Sequence, residues 1–294
     1  MDAFRVDALQ ARRAFERAAR QGADKAVLQR EVERRMLERL EYMRLVPRRV
    51  LDAGCGTGRG LGLLRSRYPK ADLLGVDFAR GAIRAALRAE SFAGRVRRFL
   101  RGAGSAYLCA DIAHLPLRSG AVDMVWSNLT LAWCEDPLAA LRELQRVLAP
   151  GGLLMFSSYG PDTLKELKAA LSAASPARRV HFFADMHDMG DMLVACGFAA
   201  PVMDVERITL TYARVEDIAR DLKASGQTCA ARDRVRGLTG RGVWRRMLAA
   251  YENERRDGRL AATFEIVYGH AWKGEQRTAG DGRQIVKWAT KIPG

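Results

Sequence analysis

Val50-Leu51-Asp52-Ala53-Gly54-Cys55-Gly56-Thr57-Gly58 is the stretch whose reading decides the fold. Two apolar residues close a buried strand, an acid follows, and three glycines alternate through a turn before Leu61, Leu63 and Leu64 begin a helical spacing. Glycine permits positive φ and lets a ligand approach the backbone with no Cβ in the way, while the first helical turn presents N–H groups without an intrahelical partner. The stretch therefore predicts strand, tight turn and helix around a nucleotide-like ligand. A second strand, residues 72–76, ends at Asp77, about twenty residues past the turn, where dinucleotide folds place a ribose-binding carboxylate. The glycines fall at every second position, which departs from the Gly-x-Gly-x-x-Gly spacing of nicotinamide sites.

Working outward, residues 48–160 alternate short apolar runs with helical segments, the pattern of a parallel sheet with helices on both faces. Strands are expected to end at Asp52, Asp77, Asp111 and Ser127, with a fifth over residues 153–156 after Pro150-Gly151-Gly152. Ligands gather at the carboxyl ends of such strands, so Asp52, Asp77, Asp111 and Asn128 are the first candidates. Upstream, Val27, Val32, Met36, Leu37 and Leu40 recur at roughly helical spacing. Downstream, a helix is expected to begin at Pro161-Asp162-Thr163-Leu164, a second to cover 187–196 and end at Gly197, and a strand to run over 202–212. Helices over 214–257, broken by an Arg/Gly-rich stretch near 232–242, precede a last strand over 263–268.

The chain has 294 residues, enough for one large domain or a domain with an insertion, and 48% hydrophobic and 28% charged residues, as globular proteins have. No apolar run reaches the roughly eighteen residues of a membrane span. The cysteines 55, 109, 134, 196 and 229 are scattered and odd in number, which points to a reducing, cytoplasmic setting, and with the four histidines they show no metal-ligand spacing. The net charge of +15 matches either a polyanionic partner or an arginine-rich composition. Its positive residues are dispersed without a basic stripe or interleaved aromatics, which disfavours nucleic acid.

Asp52 with Gly54, Gly56 and Gly58, then Gly75-Val76-Asp77, Cys109-Ala110-Asp111-Ile112 and Val122-Asp123-Met124-Val125-Trp126-Ser127-Asn128 resemble the successive motifs of class I S-adenosylmethionine-dependent methyltransferases. The resemblance implies a Rossmann-like α/β fold: a mostly parallel seven-stranded sheet, helices on both faces, an N-terminal helical lid and a helical insertion before the last strand. It implies S-adenosyl-L-methionine as cofactor, held by Asp52, Gly54, Cys55, Gly56, Gly58, Asp77, Phe78, Asp111, Ile112 and Asn128. Asp77 would take the ribose hydroxyls, since a carboxylate suits a vicinal diol. Phe78 either lies on the adenine or fills a junction. Asp111 either takes the adenine amino group beside Ile112 or caps the following turn, and Asp52 either meets the cofactor or bonds the turn's own N–H groups. Asn128, Trp133 and Tyr159 are the candidates near the methyl acceptor, with core packing as the other reading of Trp133. In-line methyl transfer needs orientation and no nucleophilic triad.

Later segments narrow the acceptor. Residues 160–167, 185–191, 201–204, 208–212, 221–226 and 264–273, with 27–31, resemble the malonyl-acyl-carrier-protein O-methyltransferases of biotin synthesis over roughly residues 10 to 273. The family implies methylation of the free malonyl carboxylate and an acidic carrier-protein partner. Arg232, Arg234, Arg236 and Arg241 are then candidates to meet that partner. The implied division is a lid at 1–46, a cofactor-binding core at 47–212, a carrier-side insertion at 213–260, a last core strand at 261–273 and a poorly ordered tail at 274–294. One departure stands out: Gly22-Ala23 replaces a Tyr-Asp or Tyr-Glu pair expected to close over the cofactor. Competing expectations are a related methyltransferase acting on a protein arginine and a non-catalytic scaffold of the same fold.

Overall fold

Seven strands form one sheet in the order β3-β2-β1-β4-β5-β7-β6 in the computed structural model, which describes residues 6–20, 26–90, 105–177, 179–237 and 239–274. The strands are β1 (Arg49–Ala53), β2 (Asp72–Asp77), β3 (Ser105–Cys109), β4 (Val122–Ser127), β5 (Leu148–Tyr159), β6 (Phe198–Tyr212) and β7 (Leu260–Lys273). β1 pairs in parallel with β2 and β4, β2 with β3, and β4 with β5. β7 runs antiparallel between β5 and β6. The strand order reverses between β1 and β4, so their carboxyl ends open the crevice in which α/β sheets of this kind bind ligands.

The helices are α1 (Ala8–Ala19), α2 (Val27–Arg39), α3 (Arg59–Arg67), α4 (Arg80–Ala89), α5 (Pro137–Val147), α6 (Lys165–Ala174), α7 (Met186–Ala195), α8 (Val215–Ala224) and α9 (Arg241–Glu252). Local sequence sets several starts. Asp136 accepts the Ala139 N–H at 3.0 Å ahead of a proline in the first turn of α5, and Asp185 accepts the Asp188 N–H at 2.8 Å at the start of α7. In α2, Leu28, Val32 and Met36 recur every fourth residue and are buried, with Leu40 continuing the stripe just beyond. Two apolar cores lie on the two sheet faces: α2, α3 and α9 cover one, α5 and α7 the other. β1 points Val50 to the first and Leu51 to the second, both essentially unexposed, each worth about 1.5–3 kcal/mol of burial.

Three expectations shift. The segment from Pro161 does not open a helix. Glu265 of β7 accepts the Asp162 N–H at 2.6 Å through its carboxylate, and its carbonyl accepts the Thr163 hydroxyl at 3.0 Å. Leu164, at φ +57°, turns the chain so that α6 begins at Lys165. The strands at the antiparallel end are longer than their alternation suggested, because β6 and β7 pair from Phe198↔Lys273 to Tyr212↔Leu260. The third strand stops at Cys109, and Asp111 lies in the loop beyond it. Gly22-Ala23 and residues 275–294 of the tail lie outside the described residues.

Candidate functional site

The turn after β1 takes its shape from two strand-end groups. Gly54, Gly56 and Gly58 adopt φ of +87°, +54° and +82°. Gly54 and Cys55 both donate to the Val76 carbonyl, at 2.7 and 2.9 Å, and Gly56 donates to Asp77 Oδ2 at 2.9 Å. Glycine is required at 54 on two counts: a Cβ there would lie 2.0 Å from Thr130 Oγ1, and φ is positive. At Gly56 a Cβ would meet nothing within 4 Å. The Gly54, Cys55 and Gly56 N–H groups are thus satisfied by β2, and the Asp52 carboxylate accepts no hydrogen bond from a described residue although Asp52 is 3% exposed.

A cavity of about 210 Å³ opens over this turn. Asp52, Gly54, Cys55, Gly56, Asp77, Phe78, Asn128 and Trp133 share its wall. Gly58, which caps the start of α3, is not on that wall; a Cβ there would approach the Tyr107 hydroxyl to 2.8 Å. Asp111 is exposed and its Oδ1 accepts the Ala113 N–H at 2.9 Å, the capping role. Ile112 is buried in the second core, and Tyr159 lines a neighbouring cavity.

The side formed by α1 and α2 was not legible in the motifs. Phe15 and Ala18 of α1, with Gln29, Arg30 and Glu33 of α2, complete the cavity. Asn128 acts as a tie between α2 and the sheet: its Nδ2 donates to the Gln29 carbonyl at 3.0 Å and its Oδ1 accepts the Ser157 hydroxyl at 2.8 Å. Trp133 stands at the centre of an aromatic group, with ring centroids 5.3 Å from Phe15, 5.0 Å from His181 and 6.3 Å from Phe183.

Electrostatically the cavity is acidic. Burial, then the nearby Glu33 and Asp77 carboxylates, pushes the Asp52 carboxyl well above its ordinary range. Burial raises Glu33 as well, partly offset by Arg59, whose Nε donates to it at 3.0 Å. Asp77 is pushed up to about 6 by burial, against the lowering effect of the Ala79 and Gly56 N–H groups. A Cβ added at Gly60 would sit 2.8 Å from both Asp52 Oδ2 and Glu33 Oε1, so these two carboxylates converge on one spot. Such a cluster is suited to a cationic ligand, and the unpartnered Asp52 fits the ammonium and sulfonium charges of S-adenosylmethionine.

A second cavity of about 240 Å³ adjoins the first, with Trp133 and Gln227 in both walls. Most of its lining is apolar, including Leu167, Phe183, Ile218, Met247 and Phe264. Its polar groups are few. Gln227 Nε2 donates to the Tyr159 hydroxyl, His181 Nε2 accepts the Ala230 N–H at 2.6 Å, and Thr228 Oγ1 is buried with no partner. Burial pushes the Tyr159 hydroxyl well up, so it stays protonated. Among the described residues no group of His, Cys, Asp and Glu is placed to hold a metal ion, and no helix is long and apolar enough to cross a membrane.

Residues 51–156, the strands and turns around the first cavity, match the model of the methyltransferase domain family. Beyond the core, the chain is 51% identical to the malonyl-[acyl-carrier protein] O-methyltransferase of Laribacter hongkongensis over 99% of both chains. It is 48% identical to the protein of the same name from Gallionella capsiferriformans, over 99% of this chain and 100% of that one. The chain belongs to the malonyl-[acyl-carrier protein] O-methyltransferase family. It is a methyltransferase, and S-adenosylmethionine is its methyl donor. In fold it is similar to the YcgJ protein of Bacillus subtilis, at a TM-score of 0.56 and 17% identity over 84% of this chain and 99% of that one. It is also similar to the [4+2]-cyclase SpnF, at a TM-score of 0.50 and 21% identity over 83% of this chain and 80% of that one. A cyclase on this fold is a reminder that the sheet does not fix the chemistry.

Proposed function

We infer that the chain methylates the free carboxylate of malonyl carried on acyl-carrier protein, giving the methyl ester that biotin synthesis extends. The observation that carries this reading is the near-full-length identity with proteins of that name. A malonyl carboxylate is ionised near neutral pH and attacks without a general base. S-adenosylmethionine, when bound, supplies an electrophilic methyl group on a positively charged sulfur.

The chain's own residues supply binding and alignment. Asp52 and Glu33 would face the cationic part of the donor and Asp77 its ribose hydroxyls, with Gly54, Cys55 and Gly56 leaving the backbone open to it and Phe78 available to its base. The acceptor carboxylate comes to the boundary where Trp133 and Gln227 belong to both cavities. There the Tyr159 hydroxyl, which accepts from Gln227, keeps its own hydrogen to donate to the carboxylate oxygen that does not attack. A neutral donor orients the nucleophile without the strong damping a cation would bring. The Phe15, Trp133 and Phe183 rings exclude water and fix the approach, so orientation is the main catalytic contribution.

In this reading residues 1–46 act as a lid and 213–260 face the carrier. The excess positive charge matches an acidic protein better than a nucleic acid, and five free thiols fit a reducing cytoplasm. The test is intact-protein mass spectrometry of malonyl-acyl-carrier protein incubated with this protein and S-adenosylmethionine, with an Asp77→Ala variant alongside. Gain of one methyl on the malonyl group, lost in the variant, is the expected result. Cofactor binding without methyl gain would overturn the acceptor assignment.

A further inference from the structure

Three spaces lie in series. The cofactor cavity and the apolar cavity share Trp133 and Gln227, and the apolar cavity shares Arg179, Cys229 and Thr239 with a surface groove of about 930 Å³. The groove carries the guanidinium groups of Arg13, Arg179, Arg232, Arg234 and Arg236 against two acids, Asp7 and Glu135. Arg234 pairs with Asp7 at 2.9 Å, and Arg232 pairs with Glu135. Arg13 pairs with no acid among the described residues, and Arg236 forms no ion pair there, its charge acting on Asp7 only from a distance. Arg179 donates Nη1 to Thr239 Oγ1 at 2.9 Å, while its buried Nε has no partner at all. Arg13, Arg179 and Arg236, none of them in an ion pair among the described residues, therefore border a groove that shares wall residues with the apolar cavity, which in turn shares Trp133 and Gln227 with the first.

We propose that this groove binds the phosphate of a 4′-phosphopantetheine arm, that of the acyl-carrier protein, with Arg179 and Arg236 as its main contacts and the arm's thioester end in the apolar cavity. The proposal rests on the malonyl-thioester reading above for what the arm carries. The order of the three spaces decides which end of the substrate meets Arg179. The carboxylate to be methylated has to reach Trp133 and Gln227, so a side chain at the opposite opening faces the arm. An arm of this kind is a mostly neutral amide chain with a single phosphate, and guanidinium groups with free N–H donors suit that phosphate. The unpartnered Thr228 hydroxyl on the cavity wall suits one of the amides. The same phosphate occurs in coenzyme A, so the two sources have to be separated by experiment.

The test compares binding of 4′-phosphopantetheine and of pantetheine, which lacks the phosphate, by calorimetry, and then kinetics with malonyl thioesters. Wild type should bind the phosphorylated compound about tenfold more tightly, and Arg236→Gln and Arg179→Gln should each remove most of that preference, with Arg179→Lys restoring part of it. In kinetics, the two glutamine variants should raise KM for malonyl-acyl-carrier protein about tenfold at nearly unchanged kcat, and leave malonyl-pantetheine unaffected. An equal rise with malonyl-coenzyme A shows the phosphate being read from either source. A rise confined to the carrier-protein substrate, with malonyl-coenzyme A as unaffected as malonyl-pantetheine, would mean that the arginines meet the carrier protein itself and would overturn the phosphate site. Equal binding of the two pantetheines, or an equal effect of the variants on phosphorylated and unphosphorylated thioesters, would overturn the site. Absence of methylation with every malonyl thioester would sink the proposed acceptor, while the binding comparison would still decide the groove.

Discussion

Asp77 shows how one side chain serves both the fold and the ligand. Its two oxygens hold the Gly56 and Ala79 N–H groups, at 2.9 and 2.7 Å, so the carboxylate shapes the glycine turn before any cofactor arrives. Its burial opposes charge, and its pKa stands at about 6 against an ordinary 3.8. The folded chain therefore binds this proton more tightly than the unfolded chain does. The stability that results is fully present below pH 3.8 and is lost as pH rises through about 6, at a cost of about 3 kcal/mol. An Asp77→Asn variant does not titrate and escapes this loss. Denaturant unfolding of the cofactor-free protein from pH 4 to pH 8 should show the variant gaining on wild type by up to about 3 kcal/mol as pH rises. A stability difference that stays level across that range would mean the carboxyl titrates at its ordinary value. In the proposed reading the cost has a function: Asp52, Glu33 and Asp77 keep an acidic cluster that the cationic donor would relieve.

At the scale of an element, α2 bridges the sheet and the wall of the first cavity. Its C-terminal half is anchored by Arg35 on Glu206 and Arg39 on Asp204, with the Arg39 guanidinium 3.8 Å above the Tyr268 ring. Its N-terminal half is held to the cofactor side by the bond from Asn128 to the Gln29 carbonyl and by the Glu33–Arg59 pair. Asn128→Ala removes the first of these and leaves the Ser157 hydroxyl without its acceptor, a loss of about 1–3 kcal/mol. Hydrogen exchange should then speed up across residues 27–33 while α7, on the other sheet face, is unchanged; equal acceleration in both would indicate a global loss of stability instead. The same helix explains what the sequence did and did not disclose. Asp52, Asp77 and Asn128 end strands, and the glycines sit in one turn, so spacing along the chain was enough to bring them together. Glu33, Gln227, Thr228 and Arg179 reach the cavities only through tertiary closure of α2, the loop after α8 and the connection between α6 and α7, which no local period encodes. The Pro161 segment failed for the same reason, since its partner Glu265 is 103 residues away.

For the whole molecule, the charge of +15 becomes meaningful once its distribution is known. Many arginines are spent within the fold: Arg34 and Arg35 bind Glu31, Arg146 binds Glu143, and Arg214 and Arg220 bind Asp217. Exposed pairs of this kind add little stability. The groove beside the second cavity is different, because its positive charges exceed its acids and border an opening to the reaction site. Attraction between such a groove and an acidic carrier acts over distances that salt screens, about 10 Å at 0.1 M ionic strength. Raising salt from 0.05 to 0.5 M should therefore raise KM for malonyl-acyl-carrier protein by about tenfold or more, with kcat nearly constant, because encounter is weakened and the chemical step is not. Malonyl-pantetheine, which carries no charged carrier and no phosphate, should respond weakly to the same change. If both substrates lose rate in parallel, salt is acting on cofactor binding or on the fold, and the surplus charge would then be a matter of composition alone.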